Sequence, residues 1–218
     1  MRLTPQTAER FILDNTALTA PPHVPEIRLH LAAEAHDLWQ RTEEELAEIG
    51  LPPPFWAFAW AGGQGLARYV LDHPETVVGK SVLDFASGSG LVAIAALKAG
   101  AKKVLAADID PFCGAATALN AQANGVALAF TGADLLDAPP PPVELICAGD
   151  VCYERPMAER VLAWLGAARA NGTRVLIGDP QRAYFPREGL TLLAEYRVPT
   201  TRELEDQEIK RTCVWALP

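Results

Sequence analysis

Apolar positions change their spacing along the chain, and the changes mark out its elements. Between residues 82 and 178, short apolar runs alternate with longer segments of helical period. Runs at 82–85, 103–107, 127–131, 143–148 and 174–178 read as buried strands. Segments at 91–97, 111–123 and 156–168 read as helices. Alternation at this spacing predicts an α/β fold with a doubly wound, mostly parallel sheet. The C-terminal part breaks the pattern. Residues 190–198 and 209–217 read as two strands joined by a charged loop, with little room for a helix between them. An antiparallel edge hairpin is expected there.

Upstream of this region the pattern is less regular. Residues 5–14 read as a short helix, and 19–25, rich in proline, as a linker. Residues 27–31 alternate as a strand does. Residues 35–49 carry Leu38, Trp39, Leu46 and Ile49 at helical spacing, and Gly50 with three prolines ends that segment. A further helix is expected at 65–71. Residues 1–60 are therefore expected to form an N-terminal extension, partly helical, packed on a main domain at 61–218.

Composition narrows the class. A chain of 218 residues, 50% hydrophobic and 21% charged, can bury a full core and is expected to be globular. No apolar run reaches the length of a membrane span, and the first residues lack the apolar centre of a secretion signal. The net charge of −8 disfavours nucleic acid as a partner. Cys113, Cys147, Cys152 and Cys213 have no metal-ligand spacing, and neither do the four histidines. No metal is expected, and free thiols in a reducing, cytoplasmic compartment are.

Candidate chemistry centres on Val82-Leu83-Asp84-Phe85-Ala86-Ser87-Gly88-Ser89-Gly90. This reads as a strand, a tight turn and a helix start, the place where open α/β sheets bind ligands. The turn residues Ser87, Gly88 and Gly90 let a ligand approach the backbone. Gly88-x-Gly90-x-x-Ala93 also fits a loose dinucleotide fingerprint, with Asp108 twenty residues on. Asp84 argues against that ligand, because a carboxylate there would repel a pyrophosphate. It suits a cation, such as the amino group and sulfonium of S-adenosylmethionine.

Further acids follow the later strands. Asp108 is placed to accept both hydroxyls of a ribose, with Ile109 over one face of an adenine. Asp110, before Pro111, reads as a helix cap. Asp134 is placed to accept the adenine amine, with Leu135 beside the ring, although an ordinary turn aspartate fits the same residues. Asp150-Val151-Cys152-Tyr153 follows the fourth strand, next to the proposed methyl donor. There Asp150 and Tyr153 are placed to hold a lysine amine in line with the methyl group. A carboxylate favours the protonated lysine, so the spacing leaves open how the amine loses its proton. Trp60, in an aromatic run ending at Gly62-Gly63, is the expected cofactor contact of that segment. Gly178-Asp179-Pro180-Gln181-Arg182 reads most simply as a turn, with a place at the substrate mouth as the alternative. Glu203, Glu205, Asp206 and Glu208 read as a solvated loop.

With these residues assembled, the chain resembles the seven-strand (class I, Rossmann-like) S-adenosylmethionine-dependent methyltransferases. Within them it is similar to the protein-lysine methyltransferases that carry Asp-x-x-Tyr after strand four. Residues 54–60, 107–111, 149–154 and 198–205 liken it to the bacterial electron transfer flavoprotein beta-subunit lysine methyltransferases. The resemblance implies a seven-stranded sheet, S-adenosylmethionine as cofactor, and a protein substrate, the flavoprotein beta subunit. It implies that Asp84, Gly88 and Gly90 shape the methionine end, that Asp108 holds ribose, and that Asp134 reads adenine. It also implies that Asp150 and Tyr153 face the lysine. Ala86 stands where many methyltransferases have the first glycine of the turn, a departure that matters if the position needs positive φ. A ribosomal-protein or small-amine methyltransferase, and a dinucleotide-binding module without methyl transfer, remain alternatives.

Overall fold

The computed structural model describes residues 4–32, 53–200 and 207–218. The expected helix at 35–49, and Glu203, Glu205 and Asp206 of the acidic loop, lie outside these residues. Seven strands form the main sheet in the order β5-β4-β3-β6-β7-β9-β8. They are β3 (Ser81–Phe85), β4 (Lys103–Ala107), β5 (Ala129–Thr131), β6 (Leu145–Gly149), β7 (Arg174–Asp179), β8 (Thr191–Pro199) and β9 (Ile209–Ala216). The first five pair in parallel, and β9 lies antiparallel between β7 and β8. This is the expected sheet, with its terminal hairpin at one edge.

Successive residues of the central strands feed two separate cores, as the two-residue period of a strand requires. Val82, Leu145, Cys147, Leu176 and Val214 pack on one face with α2 (Ala61–Asp72) and α3 (Leu91–Lys98). Leu83, Phe85, Ile146, Ala148, Val175 and Ile177 pack on the other face with α5 (Arg155–Ala170). Both faces are covered, so these strands are apolar throughout rather than alternating. Leu91, Val92, Ala93, Ile94, Ala95 and Ala96 are all buried, so α3 is apolar on every side.

The N-terminal segment folds against this body. In α1 (Pro5–Asn15), Thr4 and Thr7 form a reciprocal capping box, with Pro5 in the first turn. Ala8 and Ile12 of α1 pack with Trp56, Phe112, Cys113 and Ala116, the last two from α4 (Cys113–Ala123). Two differences from expectation arise here. The strand expected at 27–31 is confined to β2 (Leu29–Leu31), and it pairs with β1 (Ala17–Thr19), which the sequence pattern did not mark. Both are only three residues long, too short to show a period. The helix expected at 65–71 begins earlier, at Ala61. Gly62, Gly63 and Gly65 depress its local propensity, and tertiary packing overrides that.

Asn120 of α4 ties the segment to the sheet. Its Oδ1 accepts from the His30 N–H at 2.7 Å, and its Nδ2 donates to the Ser89 carbonyl at 2.8 Å. Asn124, one turn later, clasps the backbone of Arg28 in both directions. No described helix is long and apolar enough to cross a membrane. All four cysteines are buried free thiols.

Candidate active site

Backbone strain gathers at the carboxyl edge of the sheet. Ala86, Asp150 and Gln181 have φ of 54°, 57° and 68°, and they are the non-glycine residues with left-handed backbone among those described. They follow β3, β6 and β7, three neighbouring strands. Such strain collects at functional sites, where surrounding structure holds it in place.

The turn after β3 is bound to β4 at two points. The Ser87 N–H donates to the Ala107 carbonyl at 3.0 Å, and the Gly88 N–H to Asp108 Oδ2 at 2.8 Å. Gly88 and Gly90 are also left-handed, with φ of 50° and 80°. Asp84 lies buried beneath this turn, its Oδ2 accepting from the Ala93 N–H at 2.9 Å in the first turn of α3. Burial pushes its pKa up to about 7, opposed by the Ala93 N–H and reinforced by Asp108. Asp84 thus supports the turn from below.

Asp108 is half-buried, and its Oδ1 accepts from the Asp110 N–H at 3.0 Å. Beside it, Ile109 is 69% exposed, a large apolar side chain open to solvent at the ligand edge. Asp110 accepts from the Phe112 N–H at 2.8 Å and so closes the turn that leads into α4; the helix cap itself falls two residues later, at Phe112, rather than at Asp110 as expected. Asp134 is exposed. It accepts from the Leu136 N–H at 3.0 Å and lies 3.5 Å from Arg160, while Leu135 is half-buried against the α5 side of the sheet.

The second half of the site forms around Asp150. Its N–H donates to the Gly178 carbonyl at 2.9 Å. Its carboxylate is buried and accepts from the Gly62 N–H in the first turn of α2, where a helix favours an anion. The other oxygen accepts from Arg182 Nε at 2.6 Å, and both side chains of this ion pair are largely shielded. The Arg182 guanidinium stands over the Trp60 ring, 5.7 Å from its centroid. Trp60 itself donates to the Phe55 carbonyl and packs on Phe55 and Phe58. Phe55 also meets Tyr153, at 5.6 Å between ring centres. Tyr153 is 44% exposed, and partial burial raises the pKa of its phenol, which stays protonated at neutral pH.

Sequence reasoning missed the partners Gly62 and Arg182. Asp150 and Gly62 are 88 residues apart, and Asp150 and Arg182 are 32 apart, so no local period connects them. The Gly178-Asp179-Pro180-Gln181-Arg182 turn after β7 was the available signal. Asp179 closes that turn by accepting from the Arg182 N–H at 2.8 Å. Asp179 is fully buried, and burial pushes its pKa up to about 7.

Comparison with known proteins bears on this arrangement. Residues 68–148 match the family model described as Ribosomal protein L11 methyltransferase (PrmA). The electron transfer flavoprotein beta subunit lysine methyltransferase of Xenopus laevis is 41% identical over 212 residues, covering 94% of this chain and 85% of that protein. The human protein of the same name is 35% identical, covering 94% and 80%. The chain belongs to the electron transfer flavoprotein beta subunit lysine methyltransferase family. It is an S-adenosylmethionine-dependent protein-lysine methyltransferase. Among solved structures, magnesium protoporphyrin IX methyltransferase from Synechocystis PCC 6803 with bound SAM superposes with a TM-score of 0.53. It is 19% identical and covers 85% of this chain and 92% of that one. Ribosomal protein L11 methylase from Lactobacillus delbrueckii gives 0.51, at 23% identity, covering 72% and 79%. These likenesses are of fold.

The β3–β4 corner of this methyltransferase fits an adenosyl ligand. Among the described residues, none hydrogen-bonds the buried Ser87 Oγ. A Cβ on Gly88 would meet nothing nearer than Trp56 Cα at 3.9 Å, so the turn leaves open space. Asp108 retains acceptor capacity on both oxygens, because a carboxylate offers about four lone-pair positions.

Proposed function

We propose that the chain transfers a methyl group from S-adenosylmethionine to lysine of the electron transfer flavoprotein beta subunit. The observation that carries this reading is similarity spread over 94% of the chain to proteins named for that activity. The family model for ribosomal protein L11 methyltransferases, by contrast, covers only residues 68–148. That segment ends before Asp150 and Tyr153, the residues read as facing the acceptor. A ribosomal-protein substrate is therefore the weaker reading.

The residues divide into two groups. Ser87, Gly88 and Gly90 form the turn for the methionine end, with Asp84 supporting it from below. Asp108 and Ile109 take the ribose and one adenine face, Asp134 accepts from the adenine amine with Leu135 beside the ring, and Trp60 contacts the cofactor from the aromatic segment. Asp150 and Tyr153 face the incoming lysine. S-adenosylmethionine supplies a methyl carbon on a sulfonium, which departs as a neutral thioether. The lysine nitrogen forms the new bond with its lone pair, so catalysis rests on alignment and on a neutral amine. Residues 61–218 constitute the catalytic domain and residues 1–60 its extension. Four reduced, buried cysteines suit a cytoplasmic enzyme.

The test is direct. Purified enzyme is incubated with methyl-labelled S-adenosylmethionine and purified flavoprotein beta subunit, and mass spectrometry locates the label. Label on lysines of the beta subunit is expected. Label confined to another protein, with a host extract as competitor, overturns the substrate.

A further inference from the structure

We propose that Arg182 is a positioning residue for methyl transfer: held on Asp150, its guanidinium offsets the charge of that carboxylate, so that the substrate lysine reacts as the free amine. This inference rests on the reading that Asp150 and Tyr153 face the acceptor lysine.

The chemistry poses a conflict. An ammonium has no lone pair and cannot attack a methyl carbon. A bare carboxylate beside the lysine would stabilise that ammonium and raise its pKa by about 1–3 units. The amine fraction would then fall about tenfold for each unit. A permanent cation on the same carboxylate cancels the effect. Arginine serves here because it does not deprotonate.

The geometry holds that cation in place from several sides. Arg182 Nε is 2.6 Å from Asp150 Oδ1, the guanidinium lies over Trp60, and the backbone N–H of Arg182 is fixed by Asp179. Left-handed Gln181 turns the chain back toward Asp150. The second carboxylate oxygen is occupied by the Gly62 N–H, so Asp150 cannot rotate away from the pair without giving up a helix end. The side chains are 19% and 9% exposed, which spares the pair the screening that makes surface ion pairs weak.

Among the described residues, the charged groups besides Arg182 that act on Cys152, Tyr153 and Asp179 are acids. Asp150 follows β6, Glu154 precedes α5, Asp179 ends β7, and Asp108 follows β4; all are acids. Cys152 and Cys213 are thiols whose pKa burial raises, so they stay neutral. The proton released by the incoming lysine goes to water at the exposed side of Tyr153.

The experiment measures kcat and KM for methylation of purified flavoprotein beta subunit between about pH 6.5 and pH 10, the span in which lysine begins to titrate. It compares wild type, Arg182→Gln, Arg182→Lys and Asp150→Asn, with S-adenosylmethionine affinity by calorimetry as the check on folding. In Arg182→Gln the acid limb of the kcat profile is expected to move up by about one pH unit. That is roughly a tenfold loss on the limb and little loss on the alkaline plateau. Arg182→Lys, which keeps the charge, restores the wild-type limb. Arg182→Met, which retains an apolar stem over Trp60, reads the same shift if the Gln variant does not fold. A limb that stays put while kcat drops at every pH overturns the proposal and leaves Arg182 a structural tie. A kcat/KM that rises at every pH also overturns it, marking Arg182 as a plug. If Asp150→Asn retains wild-type activity, the acceptor reading itself fails. If that variant is inactive and the Arg182→Gln limb is unmoved, only this inference fails.

Discussion

Gly62 and Gly178 meet backbone to backbone, so that a Cβ on either would run into the other's carbonyl oxygen. This contact seats the first turn of α2 on β7 and brings the Gly62 N–H to Asp150. Gly178→Ala is expected to destabilise the protein by about 2 kcal/mol, the range for overpacking a rigid site, measured as a lower urea midpoint. Gly62→Ala adds a clash with Asp150 Oδ2, 2.6 Å from the new Cβ, and should lose activity beyond its loss of stability. Gly63→Ala is the control. Nothing lies within 4 Å of its added Cβ, and alanine is the better helix former by about 1 kcal/mol, so it should be stable and active.

Asp150→Asn keeps the shape of the side chain and removes its charge. Methylation is expected to fall about a hundredfold, the scale on which misplacing a reacting group acts. S-adenosylmethionine affinity should change little, because the turn after β3 and Asp108 lie on other strands. Calorimetry alongside a rate assay separates the two. Weakened cofactor binding as large as the loss of rate would move Asp150 out of the acceptor group.

Ala86 adopts φ of 54°, in the left-handed region that favours glycine. A left-handed alanine costs about 1–2 kcal/mol, while glycine loses somewhat more entropy on folding. Ala86→Gly should therefore stabilise the chain by up to about 1 kcal/mol. A thermal melt reads this directly, and a lower melting temperature would show that the strain is absorbed elsewhere.

Asp84 gives the stability a pH dependence of defined sign. Its folded pKa of about 7 lies above the ordinary carboxylate value near 4, so the native state holds the proton more tightly than the unfolded chain. Stability from this group is greatest at low pH and declines as pH rises from about 4 to about 7. Asp110 and Asp179, also raised to about 7 by burial, act in the same direction. Asp84→Asn, which can still accept from Ala93, should flatten the decline between about pH 4 and pH 7 in urea titrations. An unchanged slope would mean that Asp84 ionises in the folded protein without penalty.

The sheet was legible because its strands are buried on both faces and therefore uninterrupted in apolar character. Val82, Leu83, Ile146, Leu176 and Ile177 declare themselves without reference to partners. The position of Asp108 just after β4, beside the turn that follows β3, was legible as well, since the parallel strand ends in this topology lie at one edge. What escaped was contact across the chain. Gly62 reads as a helix breaker until Gly178 explains the close approach, and Arg182 reads as an ordinary turn residue until Asp150 appears beside it. The adjacent positive charge answers, in a form no spacing could express, the question that a lone carboxylate at 150 raises. Short strands such as β1 are silent for a different reason: three residues cannot display a period.

The position of β9 has a consequence for synthesis. Because it separates β7 from β8, β8 leaves the ribosome with no neighbour to pair with. A chain halted before Ile209 loses the docking of two strands rather than one. It also leaves Asp179, which faces Cys213 of β9 across the ladder, on a bare edge. The turn that delivers Arg182 begins at Asp179. The cation proposed to offset Asp150 is thus anchored only once β9 has docked, and a nascent chain carries no finished acceptor corner before that pairing forms.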